Sequence, residues 1–385
     1  MIAVLILSLL PLAIWLVLVF ARHSFWLMRE RDSLNGLERP MSWPSVAAVV
    51  PARDEAETIE RTLKSLLAQD YAGSFRIILV DDQSSDGTAE LARALNDARI
   101  DILTGVEHPE GWTGKLFALS QGVAALDGWH APEYLWFTDA DIAHKPDSLR
   151  ALVTRAEAEG LVLTSLMARL NCTSFAEKFL IPAFVFFFAM LYPFGAVNNR
   201  KSHLAGAAGG CMLIRRTALE KAGGVEAIRG EIIDDCAMGK LMKKQGPIWL
   251  GLTNRVLSLR PYPKIADIHA MVARTAYAQL HYSPVLLTGT LIGLFIVFLL
   301  PVFDLLFGGF FFGGFAALCG ALSWALMAIA FQPTLRFYHR SPFWGLALPL
   351  IGAVYGYFTL DSALQHAGGK GGMWKGRAQA ATKKS

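Results

Sequence analysis

Runs of apolar residues divide this chain into stretches suited to different surroundings. Residues 1–20 form an almost unbroken apolar run, long enough to cross a bilayer as a helix. From about Arg29 to about Pro284, polar and apolar positions mix as they do in an ordinary globular protein. Beyond that point, residues 284–307 and 310–331 are two further candidate spans joined at Gly308-Gly309. A third, residues 343–360, is interrupted by Pro349, Gly352 and Gly356. Within the middle stretch the pattern predicts short buried strands over residues 46–50, 75–80, 101–103 and 134–138. Helices are predicted over 58–68, 115–126 and 236–244, the last ended by Gly246. Strands alternating with helices predict an α/β domain with a parallel sheet covered on both faces. Ligands of such sheets gather at the carboxyl ends of the strands.

The charges beside the apolar runs predict an orientation. Arg22, Arg29 and Arg31 follow the first run instead of preceding it, which favours an uncleaved anchor with the next domain inside. Arg336, His339 and Arg340 mark a cytosolic loop before the third candidate span. If that span crosses, the tail carrying Lys370, Lys375, Arg377, Lys383 and Lys384 lies outside, against the charge rule; otherwise the segment turns back within the membrane. Residues 179–197, with Phe184 and Phe186-Phe187-Phe188, are also strongly apolar. They are expected to form an interfacial helix pair broken at Pro193, a buried core helix being the alternative. The expected organisation is an anchor at 1–21, a juxtamembrane linker at 22–45 and a catalytic domain at 46–262. An interfacial segment at 263–283, two or three spans within 284–360 and a basic tail at 361–385 complete it.

Composition sharpens this picture in three places. A hydrophobic fraction of 54% and a mean hydropathy of +0.38 are high for a soluble domain, in keeping with membrane segments at both ends. The net charge of +4 is small and gathers beside the apolar runs, so a bilayer surface is the expected partner and nucleic acid is not. Cys172, Cys211, Cys236 and Cys319 show no CxxC spacing, which fits a reduced, cytosolic setting.

Polar clusters follow three of the strands. The first strand runs into Pro51-Ala52-Arg53-Asp54-Glu55 and lacks the GxGxxG of a dinucleotide fold. Gly111-Trp112-Thr113-Gly114-Lys115 precedes Leu116, not the Ser or Thr of a phosphate-binding loop. Asp139 and Asp141 flank a small residue at a strand end, where alternation aims both carboxylates one way, as a hard divalent ion with oxygen ligands requires. A solvated turn is the simpler alternative. Asp81 and Asp82 end the second strand, either as acceptors for a base or ribose or as part of a turn in which Ser84, Ser85 or Asp86 caps the next helix. Asp234 and Asp235 open a helix, where acids are favourable in any case, or supply a general base. Lys115 and Arg53 are surface charges or offset phosphate charge.

Taken in order, these motifs resemble the family-2 inverting glycosyltransferases with a GT-A fold. The residues that carry the resemblance are Val49-Val50-Pro51-Ala52-Arg53-Asp54-Glu55, Val80-Asp81-Asp82-Gln83-Ser84-Ser85-Asp86-Gly87-Thr88, Gly114-Lys115 with Ala118-Leu119, Asp139-Ala140-Asp141 and Asp234-Asp235. Gly209-Gly210-Cys211-Met212-Leu213-Ile214-Arg215-Arg216 is similar to the family's acceptor-side strand. More narrowly, Gly111-Trp112-Thr113-Gly114-Lys115-Leu116 and Trp374-Lys375-Gly376-Arg377 resemble the hopanoid-biosynthesis-associated glycosyltransferases; membrane enzymes that glycosylate carotenoids have similar tails. The resemblance implies a nucleotide-sugar donor, a Mg²⁺ or Mn²⁺ ion and a membrane-lipid acceptor. It implies that Pro51, Asp54 or Glu55, and Asp82 line the nucleotide, with Arg53, Asp81, Lys115 and Asp139 in the same donor site. It also implies that Asp141 holds the ion with help from Asp139, and that Asp235 is the base with Asp234 in support.

One departure narrows the acceptor. Processive members of the family carry QxxRW on an interfacial helix, whereas this chain has Arg274-Thr275-Ala276-Tyr277-Ala278-Gln279-Leu280 there. Transfer of a single sugar to a lipid, with a hopanoid expected and a carotenoid or polyprenyl phosphate as alternatives, is favoured over polymer synthesis. The expected location is the bacterial inner membrane, with the catalytic domain cytosolic. A non-catalytic scaffold that kept the fold is the reading from another class, and the intact acids argue against it.

Overall fold

The computed structural model describes residues 2–128, 131–311, 313–369, 373–374 and 377–378. Its contacts divide the chain into two compact units. One is built from Glu30–Asn171, Ala196–Pro261 and the described tail residues from Met373, the other from the N-terminal residues to Arg29, Cys172–Gly195 and Tyr262–Gly372.

Along the chain, α1 (Ile2–Phe20) is followed by β1 (Val46–Ala52), α2 (Ile59–Leu67), β2 (Phe75–Asp81), α3 (Thr88–Arg93), β3 (Ile100–Thr104) and α4 (Gly114–Ala124). Next come β4 (Tyr134–Phe137), β5 (Ile142–His144), α5 (Ser148–Glu159), β6 (Leu163–Arg169), α6 (Phe175–Leu191) and α7 (Phe194–Asn198). Then follow β7 (Met212–Arg215), α8 (Arg216–Lys221), α9 (Asp234–Lys243), β8 (Ile248–Ser258) and α10 (Ile265–Gln279). Three long apolar helices follow: α11 (Pro284–Gly308), α12 (Gly314–Phe337) and α13 (Pro342–Ala367).

The strands form one eight-stranded sheet in the order β3-β2-β1-β4-β7-β6-β8-β5. Every residue of β1 is buried, as expected of a central strand covered on both faces. Strands β3, β2, β1 and β4 are parallel, as their sequence pattern predicts. The sheet as a whole is not. β7 runs antiparallel to both β4 and β6, and β5 runs antiparallel to β8. The expectation of a wholly parallel sheet is therefore corrected to a mixed one. Strand direction depends on the connections after β4, and the apolar runs do not encode it. Register matters most for function: Ala52 aligns with Asp81, and Val49 with Phe137, so β1, β2 and β4 end on one edge.

In the other unit, α11, α12 and α13 are each long and apolar enough to cross a membrane. The expected joint at Gly308-Gly309 lies slightly later, since α11 runs through Gly308 and α12 begins at Gly314. Pro301 lacks an N–H to donate, and π-helical turns at Phe295–Leu299 and Asp304–Gly308 flank it. The third apolar stretch is continuous. Pro349 sits in the first turn of its α-helical part, where proline is tolerated, and Gly352 provides close packing instead of a break. A Cβ on Gly352 would stand 2.7 Å from Phe298 Cγ.

Residues 179–197 do form a helix pair interrupted at Tyr192-Pro193. Up to Gly195, however, this segment belongs by its contacts to the helical unit and not to the domain expected to contain it. Phe186 packs on Phe25 and Phe331 with ring centroids 5.3 and 5.2 Å apart, and the Tyr355 hydroxyl donates to the Leu180 carbonyl at 3.0 Å. Such an aromatic face finds its partners among other apolar helices. α6 starts from a capping box, with Ser174 Oγ accepting from Glu177 N at 3.1 Å.

In the tail, Met373–Trp374 pairs antiparallel with Arg377–Ala378. Lys370, Lys375, Gly376, Lys383 and Lys384 lie outside the described residues.

Candidate active site

The loops after β1 and β2 are laced together. Asp54 adopts a left-handed backbone conformation with φ of 49°. Its N–H donates to Ser84 Oγ at 2.9 Å, and its Oδ1 accepts from Ser85 N at 2.8 Å. Glu55 N donates to Thr88 Oγ1 at 2.8 Å, and Ala56 N to Asp86 Oδ2 at 2.9 Å. Asp86 Oδ1 also accepts from Thr88 N at 3.0 Å, an Asx turn before α3; the expected cap of that helix by Ser84, Ser85 or Asp86 is corrected, since Gly87 is its N-cap and no side chain caps it. Against the upward push of burial, the Thr88 hydroxyl and then backbone hydrogen bonds hold the Asp86 carboxyl below the usual range. The Arg53 guanidinium donates to the Asp82 carbonyl at 2.6 Å and reaches its carboxylate at 3.5 Å. Asp81 and Asp82 are buried, and Pro51 lies within β1.

The Asp139-Ala140-Asp141 turn follows β4, and each of its carboxylates meets a cation. Lys115, near the start of α4, places Nζ 2.8 Å from Asp139 Oδ1 and 2.9 Å from Asp234 Oδ2. Burial disfavours the charged ammonium, but the two carboxylates outweigh it and raise its pKa. Arg260, two residues beyond β8, places Nε 2.8 Å from Asp141 Oδ2 and a terminal nitrogen 2.6 Å from Glu55 Oε1. Burial and then the neighbouring Asp139 raise the Asp141 pKa, against the pull of Arg260. Beneath the turn, Thr138 Oγ1 lies 2.8 Å from His144 Nε2 and donates to the Gly210 carbonyl at 3.0 Å. Burial lowers the His144 pKa to about 3, so this imidazole is neutral and acts as a fixed prop.

Asp234 and Asp235 open α9, and their surroundings differ. Asp234 is paired with Lys115. Asp235 accepts from Cys236 N at 2.7 Å through Oδ1 and from Gly209 N at 3.1 Å through Oδ2. Burial, then the charge of Asp234, push its pKa up to about 6, while Lys115 and the two backbone bonds oppose the rise. A Cβ on Gly239 would fall 2.8 Å from the Gly206 carbonyl carbon, so only glycine lets α9 lie this close to the chain that leads to Gly209.

Folding therefore brings Glu55, Asp139, Asp141, Lys115, Asp234 and Asp235 into one connected network of charges. Asp54 is drawn into lacing the loops, and Arg53 with Asp82 forms a separate pair beside them. Sequence reasoning missed Arg260 and His144. Arg260 follows a long strand and precedes Pro261, where it reads as strand-end punctuation. His144 is a lone histidine in a short strand, with nothing to mark its hydrogen bond to Thr138.

An α/β domain with a mixed sheet, paired acids at the strand ends and a second acid pair opening a helix defines the GT-A-like class of fold. Residues 47–223 match the family Glycosyl transferase family 2. The chain is 33% identical over 117 residues to the succinoglycan biosynthesis protein ExoO of Rhizobium meliloti, covering 30% of this chain and 31% of that protein. It is 32% identical over 148 residues to the 4,4'-diaponeurosporenoate glycosyltransferase of Staphylococcus haemolyticus, covering 36% and 37%. The matched stretch thus spans about a third of the length of these relatives. Among solved structures, the mannosyltransferase PcManGT from Pyrobaculum calidifontis, in complex with GDP-Man and Mn²⁺, shares the fold. Its TM-score is 0.55 at 17% identity, over 95% of this chain and 99% of that one.

Proposed function

We propose that this protein is an inverting glycosyltransferase that moves a sugar from a nucleotide-sugar donor to a hydroxyl of a membrane lipid, a hopanoid being the favoured acceptor. The observation that carries the reading is Lys115, which joins the donor-side acid Asp139 to the Asp234-Asp235 pair. Donor charge and acceptor base are held within one side chain's reach of each other. Asp235 takes the proton from the acceptor hydroxyl as that oxygen forms its bond to the anomeric carbon. The bond from that carbon to the diphosphate oxygen breaks on the opposite face, and the nucleoside diphosphate leaves with the electron pair. Inversion follows from this in-line geometry. A carboxylate with a pKa near 6 is ionised at neutral pH yet basic enough to assist, and such help is worth roughly 10² to 10⁴ in rate.

The donor set suits a divalent cation. Glu55, Asp139, Asp141, Asp234 and Asp235 face Lys115 and Arg260 in this network, five acids to two cations, so a diphosphate entering here calls for further positive charge. Among the described residues no group of three or more possible ligands stands ready assembled. Asp139 and Asp141 would hold Mg²⁺ or Mn²⁺ together with diphosphate oxygens. Bound there, the ion would act as a Lewis acid on the leaving diphosphate. Within this proposal Arg53 and Asp82 face the nucleoside, with Pro51 and Asp81 behind them.

Three helices long and apolar enough to cross a membrane, together with the apolar α1, support a multi-pass protein of the bacterial inner membrane with a cytosolic catalytic domain. A reporter inserted between Arg29 and Ser42 is expected to read as cytosolic; a periplasmic signal would overturn both the orientation and the donor class. Similarity to a carotenoid-type glycosyltransferase supports a carotenoid as the second acceptor reading. Mass spectrometry of lipids from cells with and without the gene tests the function directly. A hexosylated lipid should vanish on deletion and return with the wild-type gene but not with Asp235→Asn. An unchanged lipid profile would sink the lipid-acceptor reading.

A further inference from the structure

Resting on that reading, we propose that Arg260 is an exchangeable counter-ion for the metal position, so that the cation binds tightly only when the nucleotide diphosphate is present. Without donor, Asp139 is held by Lys115 and Asp141 by Arg260, and an arriving ion must compete with one of these cations. The two cations are not equivalent. The Lys115 side chain is 17% exposed and bridges two carboxylates at 2.8 and 2.9 Å, which fixes it in place. Arg260 is 34% exposed, whereas its partners Asp141 and Glu55 are 16% and 11% exposed. The guanidinium is thus the most exposed member of its cluster, and the cost of releasing it falls on the buried carboxylate it leaves, which an arriving cation offsets.

Like charges repel, so a divalent cation and the Arg260 guanidinium cannot both sit against Asp141 at low cost. The ion displaces the guanidinium, and a diphosphate supplies the anion that receives it. Each ligand then offsets what the other disturbs, and the two bind with positive coupling, typically roughly 5- to 150-fold in affinity. Glu55 tethers the second arm of the fork, so the displaced arginine stays near the site.

The test measures Mn²⁺ affinity of purified full-length protein by the electron paramagnetic resonance signal of the free ion, alone and with saturating UDP or GDP. In the wild type, whichever nucleotide binds should tighten Mn²⁺ by about tenfold or more. In Arg260→Gln, Mn²⁺ alone should bind about tenfold tighter than in wild type, and the nucleotide should add little. Arg260→Lys retains a charge without the planar fork and should fall between the two; it carries the test if the Gln variant does not fold. Unchanged or weaker Mn²⁺ binding in the Arg260 variants, with coupling intact in wild type, overturns the inference and leaves the proposed function standing. Wild type that binds nucleotide but no Mn²⁺ under either condition overturns the metal assignment and this inference together.

Discussion

Asp235→Asn is expected to bind the nucleotide sugar within a few-fold of wild type while turnover falls by about 10²-fold or more. Asparagine keeps the shape of the side chain and an oxygen to accept from Gly209 N or Cys236 N, but it cannot take up a proton at neutral pH. The wild-type rate should carry an acid limb near pH 6, because the base must be ionised and its pKa is pushed up to about 6. An ordinary aspartate would place that limb near pH 4. Stability moves the other way. A carboxyl whose folded pKa exceeds its unfolded value binds its proton more strongly when folded, so its contribution is fully present below the unfolded pKa and lost as pH rises through about 6. Asp235→Asn should therefore melt no lower than wild type at pH 8, and a sharp fall in its Tm there would contradict the burial argument. Donor binding lost in calorimetry would assign Asp235 to the nucleotide or metal site. Asp234→Asn should cost less activity, and a collapse of turnover there alone would mean the base is the other member of the pair. If both acids serve only the helix N-terminus, either substitution should cost well under about 1 kcal/mol of stability and leave chemistry intact.

Asp141→Ala should abolish transfer and metal-dependent nucleotide binding. The substitution removes one of the two carboxylates proposed to hold the ion and leaves Arg260 paired with Glu55. A diphosphate entering the site would then lack its cation, and the leaving group would lack charge compensation. The domain should still fold, since the backbone bond from Leu259 N to the Asp141 carbonyl at 2.7 Å does not depend on the side chain. Calorimetry with the nucleotide sugar in Mn²⁺ and in EDTA checks this directly. Full activity in Asp141→Ala, or in wild type with EDTA, would remove the metal from the mechanism.

Much of this site is legible in the sequence because short-range physics writes it there. Buried strands need unbroken apolar runs, so β1, β2 and β4 stand out, and the acids that follow them fall at the strand ends. Asp234 and Asp235 are visible for the same reason, as a charged opening to a helical pattern. That three apolar helices near the C-terminus are long enough for a bilayer also follows from composition and length alone.

What the chain order could not convey is which charges meet. Lys115 reads as one half of a failed phosphate-loop motif, and only the packing of α4 against β1 and β2 makes it the bridge between Asp139 and Asp234. Arg260 lies 119 positions from Asp141 and 205 from Glu55, and the antiparallel pairing of β8 with β5 brings them together. Apolar periodicity determines which residues enter a core, because water rejects them wherever they lie. It does not specify strand direction after β4, nor the helical unit to which residues 179–195 attach. Those choices depend on contacts between residues far apart in the chain, and so the tertiary structure alone decided the ion-pair network and the raised pKa of Asp235.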